Sequence, residues 1–149
     1  QDTNLIFVGK LVEKESYWSD DHRFIMTRHI FQVQDSVKGD PGQLAEIIEY
    51  GGTVGELAQE VTHTGRYQLD REYLVFSYRD DFERNRTLAG TLGQFPVIQG
   101  GSDQRVVRMY PSHPLASRLE GEFLSTFQEL NIFSEKIRTT LKNLMTADE

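Results

Sequence analysis

The side chains in this 149-residue chain that could do chemistry are four histidines, 23 carboxylates and a scatter of serines, and their spacing limits what they can do. His22, His63 and His113 stand alone, with no His-x-His or Glu-x-x-His spacing to bring two nitrogens onto one metal ion. His29 falls among Ile25, Phe31 and Val33 on one side of an alternating stretch. A hydrogen-bonded core or rim histidine is the favoured reading there, and a ligand the other. Asp20-Asp21-His22 could hold a cation through adjacent oxygens, but adjacent side chains diverge on a strand, so a solvated turn is favoured. There is no Gly-x-Ser-x-Gly elbow, and Ser112-His113 are mere sequence neighbours. Nothing marks two carboxylates as facing a shared cleft. The expectation is a protein without catalytic residues, metal or cofactor.

Two segments carry features beyond plain solvation. Gly51-Gly52-Thr53-Val54-Gly55 lacks the Gly-Lys-Ser/Thr ending of a phosphate loop and precedes no clear helix. It reads first as backbone that needs positive φ angles, and second as a binding loop. Tyr17-Trp18 reads as an aromatic anchor at a hairpin tip or as a lid folded over the end of a barrel. Tyr17, Trp18 and Gly51 to Gly55 are therefore the candidate binding residues, expected to share one rim. Asn85-Arg86-Thr87 matches a glycosylation sequon, a triplet that also arises by chance.

The bulk numbers exclude several classes. Apolar residues make up 38% and charged residues 26%, which is globular composition. Sixteen basic residues against 23 acidic ones give a formal charge of -7, a sign that repels phosphate backbones. Nucleic acid is not expected as a partner. The apolar runs, such as Leu5-Ile6-Phe7-Val8, are too short to span a bilayer as helices. The absence of cysteine excludes disulfides, thiolate metal sites and thiol nucleophiles, and leaves the compartment open. The first residue is Gln1, which either a removed secretory signal or a boundary within a longer chain would leave.

These residues need elements to position them. Asn4 to Glu15 reads as a long strand with a bulge or bend at Gly9. Ser19 to His22 is turn chemistry. From Phe24 to Val37 the odd positions Ile25, Thr27, His29, Phe31, Val33 and Val37 oppose Arg28, Gln32, Gln34 and Lys38, a half-buried strand, with Met26 and Ile30 as exceptions. Lys38 to Gly42 is a turn, Leu44 to Tyr50 a third strand, and a loop is expected from Gly51 to about Asp70. Glu72 to Tyr78 is a short apolar strand, and Asp80 to Asn85 a charged turn. Further strands are expected at Thr87 to Thr91, Phe95 to Gln99 and Arg105 to Tyr110, with Gly100 to Asp103 turning the last pair. Beyond Pro111 and Pro114, the stripe Leu115, Leu119, Phe123, Phe127 and Leu130 predicts one amphipathic helix. Ser134 caps a second, with Ile137, Leu141, Leu144 and Met145 on its stripe. The expected fold class is α+β: one domain over residues 1–149, a small antiparallel barrel to residue 110 and two helices packed on it.

The segments Asn4 to Val12, Phe31-Gln32-Val33 with Val37-Lys38-Gly39, the glycine loop, Gly65-Arg66-Tyr67, Glu72 to Phe76, Thr87 to Gly90 and Gln94-Phe95 occur in an order that resembles the netrin-like domain. That family includes the tissue inhibitors of metalloproteinases. The nearest likeness is to exported bacterial proteins of the same layout with a Gly-Gly-Thr-Val-Gly-type loop. The resemblance covers roughly Asn4 to Val97. It implies an OB-type five-stranded barrel with helices packed on it, a fold that does not fix function. The favoured reading is a non-enzymatic, secreted or periplasmic module that binds a protein partner. The alternative is a carrier for a small ligand or oligosaccharide. The metalloproteinase inhibitors chelate zinc through an N-terminal cysteine, and a chain with Gln1 and no cysteine carries over neither that wedge nor their disulfides. A chain this long can bury a core without staples. Its melting temperature is accordingly expected to be the same with and without EDTA, by calorimetry, and a fall of many degrees would reveal a structural metal.

Overall fold

The computed structural model describes residues 4–99, the strands Arg105–Arg108 and Phe127–Glu129, and the helical residues Glu135, 137–139 and Lys142. The chain divides into two compact units, one up to Gln94 and one from Phe95 on.

The first unit is antiparallel sheet. β1 (Leu5–Trp18) and β2 (Ile25–Lys38) form a long hairpin, flanked by β3 (Leu44–Tyr50) beside β2 and by β6 (Glu72–Arg79) beside β1. β7 (Asn85–Thr87) pairs with β6, and a 3-10 turn at Gly90–Gly93 follows. The segment expected to be a loop from Gly51 onwards contains a second, small hairpin, β4 (Gly52–Val54) with β5 (Leu57–Gln59). Its two-residue connection opens with Gly55 at φ 59°, the conformation that short hairpins require of their first loop residue.

The turns are built from short polar side chains. In the first hairpin Ser19 Oγ donates to Asp21 Oδ1 at 2.7 Å, and the same aspartate oxygen accepts the Arg23 N–H at 3.1 Å. Asp20-Asp21-His22 is thus a hydrogen-bonded turn. Between β6 and β7, Asp80 Oδ1 accepts the N–H groups of Phe82 and Arg84, while Arg84 is ion-paired to Asp80 Oδ2 at 2.8 Å.

β1 runs three residues beyond its expected end. Tyr17 and Trp18 therefore lie in the strand, opposite Met26 and Ile25, and not at the hairpin tip. The β1–β2 register slips between Ile6 and Phe7, between Val8 and Gly9, and again between Leu11 and Glu13. The third slip has a large consequence. Leu11 pairs with Phe31 but Glu13 pairs with Ile30, so Val12 is an extra residue and the alternation of β1 inverts. Before the slip the odd residues Phe7 and Leu11 face the core. After it, the even residues Lys14 and Ser16 share a face with their partners His29 and Thr27.

The core of this unit is Phe7, Leu11, Phe31, Ala45, Ile47, Tyr67, Tyr73 and Val75. Aromatic edges meet faces throughout it: Phe7–Phe31 at 5.6 Å, Phe31–Tyr67 at 4.9 Å and Tyr67–Tyr73 at 4.9 Å between centroids.

No backbone ladder closes these strands into a barrel among the described residues. β7 lies against β3 without pairing to it. Side chains cross the gap, Arg86 of β7 lying 4.5 Å over the Tyr50 ring of β3. Glu49 of β3, 2% exposed, accepts the Thr87 N–H at 2.7 Å and the Gly65 N–H at 3.1 Å, with Arg86 Nη2 at 3.7 Å.

In the second unit, β9 (Arg105–Arg108) pairs antiparallel with β8 (Gln94–Gln99) and with β10 (Phe127–Glu129). β10 corrects the expected first helix at its end, because Phe127 lies in a strand opposite Arg108. A four-residue apolar spacing that includes phenylalanines is compatible with either state, and a strand partner distant in sequence decides it. The expected strand at Thr87 to Thr91 is likewise shifted to Asn85–Thr87, which places the sequon triplet in β7 with Thr87 buried. Glu135, residues 137–139 and Lys142 are helical, within the second expected helix. Ser134, the rest of both stripes, the turn at 100–103 and the Ser112-His113 pair lie outside the described residues.

If Glu49 is the closing link, Glu49→Gln should cost about 1–3 kcal/mol in urea unfolding, because its amide N–H₂ must face a backbone N–H donor. Parent-like stability would show that the gap is held by other contacts.

Candidate functional site

Beside the glycine hairpin the first unit has an open cleft of about 440 Å³, within the usual size range for small-molecule sites. Its walls come from five places: Lys14 and Ser16 of β1, Thr27 and His29 of β2, Tyr50 at the end of β3, Gly51 to Thr53, and the segment from Gln59 to Gln68. The inverted alternation after Val12 is what brings Lys14 and Ser16 here.

The glycine hairpin is held by hydrogen bonds to the first hairpin. Gly51 N–H donates to the Ile25 carbonyl at 2.7 Å, and Gln59 Oε1 accepts the Ile25 N–H at 2.7 Å. Thr27 Oγ1 donates to the Gly51 carbonyl at 2.7 Å. Gly52 sits at φ 137°, and a Cβ there would stand 2.4 Å from Thr27 Oγ1 and 2.5 Å from Ser16 Oγ. Only glycine fits that approach.

The donor directions follow from the partners. The Thr27 hydroxyl proton is committed to a carbonyl, so at 2.9 Å Ser16 Oγ must donate to Thr27 Oγ1. Ser16 is then left with acceptor capacity. His29 Nδ1 lies 3.1 Å from the Ile47 carbonyl, which can only accept, so Nδ1 carries the proton and Nε2 the lone pair. Burial pushes the His29 imidazole down to about 4, the Ile47 bond opposes this, and the nearby Lys14 charge adds to it. His29 is neutral at pH 7. Lys14 Nζ donates to the Tyr67 carbonyl at 2.9 Å and keeps two further N–H groups.

Below the cleft, Tyr67 packs edge-to-face on His29 at 5.1 Å, and its hydroxyl lies 2.6 Å from Thr87 Oγ1. Thr87 in turn hydrogen-bonds the Glu49 carboxyl. Burial raises the Tyr67 phenol well above its usual range, with Glu49 adding to it. Burial likewise raises Glu49, against the hydrogen bonds from Thr87 and the charge of Arg86.

A second surface lies at the turns. Phe24, 45% exposed, and Phe82, 75% exposed, flank a stack in which Arg84 lies over Phe82 at 5.0 Å and over Tyr50 at 5.3 Å. Phe24 meets Tyr50 edge-on at 5.4 Å.

Of the seven residues singled out from sequence, Gly51, Gly52 and Thr53 line the cleft, while Val54 and Gly55 form the far end of their hairpin. Tyr17 and Trp18 are half-buried at the end of β1 and do not line it. Trp18 contacts the His22 ring at 6.3 Å. His29 is both a core histidine and a cleft residue. Lys14, Ser16, Thr27, Arg66 and Tyr67 were not legible as site residues. Among the described residues, no group of three His, Asp or Glu could hold a metal ion, and no helix is long and apolar enough to cross a membrane. The chain matches no protein-family model, no curated protein and no solved structure.

The His29 shift makes a signed prediction. In the pH window from 6.5 down to about 4 the unfolded chain binds a proton at His29 that the folded chain refuses, so stability falls with acid by about 3 kcal/mol. Glu49, with its raised pKa, contributes in the opposite sense. His29→Asn retains an N–H for Ile47 and cannot titrate. Urea unfolding across this window should show a pH slope one proton shallower in the variant, and identical slopes would refute a neutral His29.

Proposed function

We propose that this chain is a non-enzymatic, extracytoplasmic binding module of the netrin-like OB type, and that it holds a small hydroxylated ligand of saccharide type beside the glycine hairpin. The strand order supports the OB reading: β1 lies between β2 and β6, β3 flanks β2, and β7 returns to the side of β3. A partly open five-stranded barrel has this arrangement. The resemblance to exported netrin-like proteins supports the location.

The observation that carries the ligand reading is the wiring of the cleft. Three of its side chains each spend one hydrogen bond on the fold and offer the remainder to the cleft: two donors on Lys14, a lone pair on His29 Nε2, and acceptor capacity on Ser16. A polyhydroxylated molecule can both donate to and accept from such a set. A protein-docking reading stands second, favoured by the exposed Phe24 and Phe82 on either side of Tyr50 and Arg84. Aromatic side chains with arginine among them are typical anchors of protein interfaces.

Titration of the ¹⁵N-labelled chain with a panel of neutral and acidic mono- and oligosaccharides should move the amides of Gly51 to Thr53 and Gly65 to Gln68 together. If saturating panels leave those amides in place, the ligand reading fails. Shifts confined to Phe24, Tyr50 and Phe82 would favour the docking surface.

A further inference from the structure

The cleft lining carries two cations and a single acid, Lys14 and Arg66 against Glu60. Several arginines elsewhere are matched with carboxylates: Arg28 with Glu13, Glu15 and Glu46, Arg84 with Asp80, and Arg86 with Glu49. Lys14 and Arg66, the two cations on the cleft lining, have no ion pair among the described residues. This holds in a chain with 23 acidic residues against 16 basic ones. Lys14 is oriented by a carbonyl, that of Tyr67, which fixes the ammonium without neutralising it. Arg66 is anchored through its backbone, whose N–H and carbonyl both bond the Gln94 side chain, so its guanidinium is not used to hold the fold. The one acid on the lining, Glu60, leaves the cleft side chains with a formal charge of about +1, from Lys14 and Arg66 less Glu60.

We infer that the ligand is a hydroxyl-bearing monocarboxylate of the sugar-acid class, its carboxylate held by Lys14 and Arg66 and one of its hydroxyls donating to His29 Nε2. The inference rests on the ligand reading above and narrows it. A single negative charge matches the local balance, whereas a phosphate dianion would meet the Glu60 carboxylate with charge to spare. The ammonium and guanidinium supply charge-assisted donors to the two carboxylate oxygens. The imidazole accepts, as does Ser16 Oγ, and a carboxylate alone would leave both without a partner. A hydroxylated acid satisfies all of them.

Isothermal titration of the whole chain tests this with four probes: D-glucuronate, D-glucose, inorganic phosphate, and a hyaluronan tetrasaccharide as the chain-borne source of the same acid. D-Glucuronate or the tetrasaccharide should bind at least tenfold more tightly than D-glucose, and less tightly as salt is raised. Preference for the tetrasaccharide would assign the site to a uronate within a polymer, and preference for the free acid to a metabolite. Lys14→Gln and Arg66→Gln should each lower the affinity for the acid several-fold or more. Arg71→Gln, which removes a cation away from the cleft, should not, and equal losses in all three would reduce the effect to net charge and overturn the inference. Equal affinity for glucose and both acids would overturn the acid inference while leaving the saccharide reading in place. Phosphate binding more tightly than either acid would overturn it in favour of an oxyanion site. No binding of any probe, with the cleft amides unmoved, would remove both readings.

Discussion

The structure of the first unit depends on a carboxylate in a place that carboxylates avoid. β3 and β7 lie side by side with no ladder between them, and such an edge leaves N–H and C=O groups without partners. Glu49 reaches from β3 and accepts from Thr87 on β7 and Gly65 in the segment before β6. Two backbone donors, the Thr87 hydroxyl and the Arg86 guanidinium make a setting that fits the ionised form. Burial works against that form and raises its pKa. The hydrogen bonds offset a desolvation cost that an apolar residue at this position would not incur. An apolar residue, however, could not satisfy two backbone donors on two different segments.

That choice propagates to the cleft. Gly65 lies within the segment that forms one wall, and a Cβ on it would lie 2.4 Å from Thr87 Oγ1. Two residues on, Tyr67 is 1% exposed, with its hydroxyl on Thr87 and its ring between His29, Phe31 and Tyr73. Its carbonyl then aims Lys14. One connected path therefore runs from Glu49 through Thr87 and Tyr67 to the ammonium at the cleft. The geometry of the site and the closure of the sheet share the same buried polar groups, which ties the position of Lys14 to the integrity of the strand gap.

How much of this the sequence disclosed depends on how local each signal is. The strand Ile25 to Lys38 was legible because its alternation is unbroken through Ile25, Thr27, His29 and Phe31, all buried as expected. The turn at Ser19 to His22 was legible because Ser and Asp bond nearby backbone within a few residues. The glycine segment was recognised as needing positive φ, and Gly51, Gly52 and Gly55 have it at 100°, 137° and 59°. What escaped was non-local. The role of Lys14 and Ser16 follows from one extra residue, Val12, and a single-residue slip exchanges the faces of everything after it. No periodicity in Val12-Glu13-Lys14-Glu15-Ser16 announces that slip, because those residues are mostly polar on both faces. Glu49 escaped for the same reason: Ile47-Ile48-Glu49-Tyr50 reads as a strand end turning polar, and its donors are 16 and 38 residues away. Phe127 was assigned to a helix by spacing and lies in a strand because of a partner distant in sequence.

The same accounting of donors and acceptors explains why the cleft stays open. An apolar hollow of this size would favour collapse, since filling it removes apolar surface from water and restores packing contacts. Here the lining includes glycine backbone and the side chains of Lys14, Ser16, Thr27 and His29, which are already bonded to the fold. Closing the hollow would dehydrate the remaining N–H groups of Lys14 and the lone pairs of His29 and Ser16 without giving them partners, a cost of about 1–3 kcal/mol for each. Gly52 adds a steric term, because its missing side chain lets the hairpin seat on Ser16 and Thr27 while its own backbone still borders the cleft. Water satisfies those groups when the cleft is empty. A ligand displaces that water favourably only if its own groups reproduce the same pattern of one cationic donor side and two neutral acceptors. Selectivity in such a site comes from the wiring that keeps it open.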